Sequence, residues 1–263
     1  IQLSYLLLRY CAVAKNIHLI RCISPNLPEF CDFLREVDQA NINVLQQFVT
    51  HQNLSPEQTI QAQLPTRLGG LGITCLHQVR HSAFLASSVV ALADINLRPQ
   101  SSPQLLAIQS NLQHLANVCW YRDSMSCWNS MRDHLQDVAC PLLQSVGSVS
   151  SFAGLPIHNL QYLLSRKVQN QVFLNLLSSL SDDPTAKARL RSCSGSGSGA
   201  FLSALPHIEG CKFSNLEFVS ALQLRLGLPV PILPNRHCPC LHNMDQPGSH
   251  ALKCFKRGGE RIY

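Results

Sequence analysis

Three glycines in four residues, Gly69, Gly70 and Gly72, interrupt a chain that otherwise reads as one helix after another. They lie in Leu64-Pro65-Thr66-Arg67-Leu68-Gly69-Gly70-Leu71-Gly72-Ile73. Pro65 pushes Leu64 toward an extended conformation, and the glycines permit positive φ or close backbone approach, so no helix continues here. The segment is expected to be a fixed corner between two helical packs, with Pro65, Gly69, Gly70 and Gly72 as its structural residues. Leu64, Leu68, Leu71 and Ile73 would anchor it in apolar surroundings.

The rest of the chain points to an all-α fold. Aromatic residues make up 6% and charged residues 14% of the 263, and leucine is abundant, which suits packed helices better than a β-sandwich or a disordered tail. Apolar residues at Leu3, Leu6, Leu7, Tyr10, Cys11, Val13, Ala14, Ile17, Ile20 and Ile23 predict one amphipathic helix over 3–23, ended by Pro25. Pro28 and Glu29 then open a long helix to about Gln52. Ser55-Pro56 reads as a cap with proline at the first helical position, leading into the glycine corner. A helix over 77–94 carries Ala83, Ala86, Ser87, Ser88 and Ala91, small residues that let a neighbour approach closely. Further helices are expected over 104–118, 119–138 (with Trp120, Tyr121, Met125, Trp128 and Met131) and 155–180. Ser214, Glu217 and Gly227 frame a last helix over 215–226 that hides Leu216, Val219, Leu222 and Leu226.

Two compositional features bear on function. The net charge is +6, and the excess lies in residues 166–263, where twelve Lys/Arg face six Asp/Glu, so a polyanionic partner should engage that end. Nine of the twelve cysteines are scattered singly through apolar stretches and read as small buried hydrophobes in a reducing compartment, nuclear or cytoplasmic. No window offers the roughly 20 uninterrupted apolar residues of a membrane span, so no membrane association is expected.

The other three cysteines cluster. Cys238-x-Cys240-x9-His250-x3-Cys254 brings four soft or borderline ligands into seventeen residues, the donor set of a closed tetrahedral Zn²⁺ site. Few apolar residues separate Asn235 from Cys254, so a structural zinc would supply stability that a small core cannot. His242 and His237 are alternative imidazoles. Lys253, Lys256, Arg257 and Arg261 follow within nine residues and are suited to sequence-independent phosphate contacts.

The corner sequence, followed by a helix containing Ser82-Ala83-Phe84-Leu85-Ala86-Ser87, resembles the region just downstream of the polymerase core in non-LTR retrotransposon (LINE-like) reverse transcriptases. A second block, Arg225-Leu226-Gly227-Leu228 leading to Cys238-Pro239-Cys240, Asp245, Gly248, His250-Ala251-Leu252 and Cys254, is similar in order to the cysteine/histidine segment of that family. The resemblance implies thumb-like helices at 1–95 with the glycine corner, a helical linker region at 104–191, and a basic helix plus zinc-binding segment at 200–263; the Ser/Gly composition of 192–199 reads as a flexible linker between the last two. The resemblance also implies that Arg67 and Arg225, with the four basic residues of the C-terminal run, contact RNA, RNA/DNA hybrid or DNA.

The paired aspartates that a polymerase needs to hold divalent ions are missing: Asp182-Asp183 lies in a polar helix-ending turn, not after an apolar strand. The chain is therefore expected to be a piece of a longer polypeptide and no enzyme on its own, with Mg²⁺ only in the absent palm. A competing expectation is a helical protein-interaction module with a structural zinc knuckle, left by a domesticated retroelement.

Overall fold

A computed structural model describes residues 1–50, 53–97, 123, 126, 127, 129, 159–208, 210–231, 233, 237, 238, 240–245, 248, 250 and 254. The fold is all-α, as the sequence predicts: among the described residues there is no sheet, only two isolated antiparallel bridges, Leu68 with Ser194 and His237 with Asn243. The helices are α1 (Gln2–Leu7), α2 (Val13–Lys15), α3 (Leu19–Cys22), α4 (Pro28–Val49), α5 (Pro56–Gln63), α6 (Leu76–Leu97), α7 (Leu160–Ser179), α8 (Pro184–Ser192) and α9 (Asn215–Leu226). The helices expected over 104–118 and 119–138, with their aromatic residues, lie largely outside the described residues; 123, 126, 127 and 129 are helical.

Local signals set the helix ends. Ser55 accepts from the Gln58 amide while the Gln58 side chain accepts from the Ser55 amide, a reciprocal capping box with Pro56 next to it. Ser214 and Glu217 close the same box on α9, and Gly227 stops it. Helix α4 ends at Val49, three residues before the expected boundary, where the buried Gln223 side chain donates to the Val49 carbonyl at 2.8 Å. The single helix predicted for 3–23 is instead broken: a π-helical segment, Leu8–Ala12, follows α1, and a turn separates α2 from α3. Periodicity cannot register the extra residue per turn of a π segment.

The chain forms two compact units. One comprises Ala12–Ala40 and Cys75–Leu174. Its core gathers Ile20, Phe30, Leu34, Leu76, Val79 and Ala83, with α3 laid along α6. Of the small residues expected to pack closely, Ala83, Ala86 and Ser88 are buried, Ser87 is half-buried and Ala91 is exposed, and the Ser82 and Ser165 hydroxyls meet at 2.8 Å. Asp38 lies on the buried side of α4 and accepts from the Leu76 and His77 amides at 2.8 and 2.9 Å, capping α6 from a distant part of the chain. Burial raises its carboxyl above the usual range, against those two amide bonds.

The second unit comprises Ile1–Cys11, Asn41–Thr74 and Asn175–Tyr263. Tyr5, with no exposed surface, packs edge-on against Phe218 at 5.5 Å, and Phe201 and Phe213 complete an aromatic cluster around Phe218. Burial pushes the Tyr5 phenol up to about 12, opposed by the nearby Arg9. The helix α9 hides Phe218, Leu222 and Leu226; Leu216, expected inside, is 56% exposed. Rotation of α9 onto Tyr5 brings Phe218 inward at the expense of Leu216.

Candidate metal centre and the arginine-bound corner

The glycine corner is built from short-range backbone bonds. Leu68 and Gly70 donate to the Pro65 carbonyl at 2.9 and 3.1 Å, Gly72 to Leu64 at 2.8 Å, and Leu71 and Ile73 both to Ala62. A Cβ at Gly70 would stand 2.0 Å from the Leu64 carbonyl oxygen, so only glycine fits there. Leu64, Leu71 and Ile73 are buried as expected, while Leu68 is half-buried and bridges to Ser194.

Arg225 binds this corner together. Its Nε donates to the Gly70 carbonyl at 3.0 Å, Nη2 to Thr66 at 2.7 Å and Nη1 to Ser198 at 2.9 Å. The residue is only 4% exposed, which corrects the expectation that it contacts nucleic acid: the guanidinium donors that would meet a phosphate are spent on backbone carbonyls. Its own carbonyl accepts from the Gln61 side chain at 2.8 Å and from Arg189, whose Nη1 also reaches Gln61 Oε1 at 3.0 Å.

The same contacts correct the reading of residues 192–199 as a flexible linker. Gly195 donates to the Arg67 carbonyl at 2.9 Å, the Ser198 hydroxyl to Cys193 at 2.6 Å, and Ser194 bridges to Leu68. A Ser/Gly-rich composition signals backbone freedom, but here the freedom is used to fit carbonyls around Arg225 and the corner. Arg67 is half-buried, with its carbonyl so engaged.

Beyond α9, the four sequence-predicted ligands come together. Cys238 Sγ, Cys240 Sγ, a ring nitrogen of His250 and Cys254 Sγ all lie within 4.8 Å of one another. The Cys238 and Cys254 sulfurs are 3.3 Å apart, and Cys240 Sγ is 3.1 Å from His250 Nε2. Tetrahedral Zn–S and Zn–N bonds of about 2.3 and 2.0 Å set ligand edges of roughly 3.5–3.8 Å, so this donor set is compatible in size and chemistry with a metal ion.

Backbone hydrogen bonds place the ligands in two pairs. The Cys238 amide donates to the His242 carbonyl at 2.9 Å and the Leu241 amide to Cys238 at 2.8 Å, folding a tight turn around the first two cysteines. Asp245 Oδ1 accepts from the His250 amide at 2.7 Å, and the Cys254 amide donates to the His250 carbonyl, one helical turn on. Gly248, at φ +72°, closes the Asp245 turn and sits against Leu224 of α9, where a Cβ would come 2.6 Å from that side chain. The role of Asp245 is detectable in sequence only as an acid five residues ahead of the histidine ligand. Lys253, Lys256, Arg257 and Arg261 lie outside the described residues.

No helix among the described residues is long and apolar enough to cross a membrane. Compared with protein-family models, curated proteins and solved structures, the chain finds no match in any of the three.

Proposed function

We propose that this chain is a non-catalytic, nucleic-acid-gripping portion of a non-LTR retroelement reverse transcriptase, with Cys238, Cys240, His250 and Cys254 holding a structural zinc ion. The observation that carries the reading is the convergence of those four side chains within 4.8 Å, in the same part of the chain that holds the positive excess. The zinc would fix an otherwise core-poor segment and leave no open position for water, so the segment orders rather than catalyses. Magnesium chemistry belongs, in this reading, to palm aspartates that the sequence lacks. The partner is RNA, RNA/DNA hybrid or DNA, met through its backbone by Arg67 and the run Lys253, Lys256, Arg257 and Arg261.

The test is binding of the purified chain to a labelled RNA/DNA hybrid as salt is raised. Lys256→Glu with Arg257→Glu should weaken binding about tenfold or more and lower the salt slope by about 2. An absence of binding at low salt rejects the reading.

A second reading, a helical protein-interaction module, is favoured by apolar side chains left on the surface of the second unit. Leu3, Leu7 and Tyr10 are 58%, 52% and 51% exposed, and Leu216 lines a groove of about 430 Å³ with Val49, Val219 and Pro229. Protein partners retained after nuclease treatment would support it.

A further inference from the structure

We infer that His242 is an exchangeable ligand of the Cys/His cluster, able to take the imidazole position that His250 occupies. The inference rests on the metal reading above and adds a fifth residue to it. His242 stands outside the four-residue set, yet its Nδ1 is 3.6 Å from Cys240 Sγ and 3.4 Å from the Cys240 carbonyl oxygen. Its ring stacks on that of His250, with centroids 5.6 Å apart and planes inclined by 26°. Two imidazoles therefore border the same thiol side by side.

The backbone holds His242 there. Its carbonyl accepts from the Cys238 amide, so the residue is tied to the loop that presents the first two ligands. The turn depends on Leu241, a leucine at φ +71° and 88% exposed, a conformation that costs an L-residue about 1–2 kcal/mol. An exposed leucine gains nothing from burial there; what the turn achieves is to bring the next side chain back over Cys240. His242 is itself exposed, and its Nδ1 already stands at the edge of the cluster beside Cys240. A borderline cation accepts imidazole through either nitrogen, and three thiolates with one imidazole complete a tetrahedral set whichever histidine supplies it.

The experiment titrates the full chain with cobalt(II) alone, whose visible bands distinguish a four-ligand tetrahedral site from an open one. His250→Ala should retain the tetrahedral spectrum with affinity lowered no more than about tenfold, and His250→Ala with His242→Ala should lose that spectrum and bind at least another tenfold more weakly. His242→Ala alone should match the unaltered chain, and adding His237→Ala to His250→Ala should change nothing further. His250→Asn, closer to histidine in size and polarity, replaces His250→Ala if that variant loses its helical circular dichroism. Equal losses in the single and double variants, a double variant that still binds as a four-ligand site, or a collapse on His242→Ala alone would each overturn the exchange. An unaltered chain that takes up neither cobalt nor zinc would overturn the metal reading itself.

Discussion

The glycine corner and the Cys/His segment are both irregular backbone set against helices, and they close by different means. At the corner a charged guanidinium satisfies three carbonyls from two separate stretches, and Leu64, Leu71 and Ile73 fill the space beneath. The corner thus needs nothing from outside the chain. In the Cys/His segment the buried side chains among the described residues are Cys238 and Met244, and the close contacts are among sulfurs and imidazoles. Neutral thiols attract one another weakly, so in the proposed reading that cohesion is supplied by an ion. One region is closed by the chain's own hydrogen bonds, whereas the other brings together donors that suit a metal ion.

Three measurements break or sharpen this contrast. The largest effect should follow Arg225→Met, which strips three carbonyls of a donor inside the corner and should cost about 3–5 kcal/mol in urea unfolding while leaving metal content unchanged. A loss below about 1 kcal/mol would mean that apolar packing alone holds the corner. Next, Gly70→Ala should cost about 2–4 kcal/mol, because its Cβ meets the Leu64 carbonyl, whereas Gly197→Ala, which faces open space at φ +79°, should cost only about 1 kcal/mol from backbone strain. Similar costs at both sites would show that the corner yields. The smallest effect on the helices should come from chelation. Removing metal should shift their unfolding by less than about 1 kcal/mol while limited proteolysis opens residues 238–254. A chelator that unfolds the helices as well would merge the two regions into one cooperative unit.

The glycine run and the Cys/His spacing marked both regions in the sequence, but the expected role of Arg225 does not fit its burial. An arginine in the last turn of an exposed-looking helix reads as a surface cation, and nothing local says otherwise. Only when Thr66, Gly70 and Ser198 arrive do its donors find carbonyls at 2.7–3.0 Å, and burial follows. The Ser/Gly run failed in the same way: its composition records freedom in the unfolded chain, not the bonds to Arg67 and Arg225 that use that freedom. Asp38 gave no signal at all, since the helix it caps begins almost forty residues later.

What the sequence determined by itself was whatever neighbours a few residues apart can decide: the capping boxes at Ser55 and Ser214, the stop at Gly227, the glycine-only step at Gly70, and the ligand types of the Cys/His cluster. These depend on φ, on short side chains reaching the nearest free amide, and on donor chemistry. The tertiary structure decided which polar groups are buried, where Arg225 and Asp38 spend their bonds, and that His242 lies beside His250. Those outcomes depend on partners distant in sequence, and a side chain's hydrogen-bonding capacity says nothing about which backbone will come to meet it.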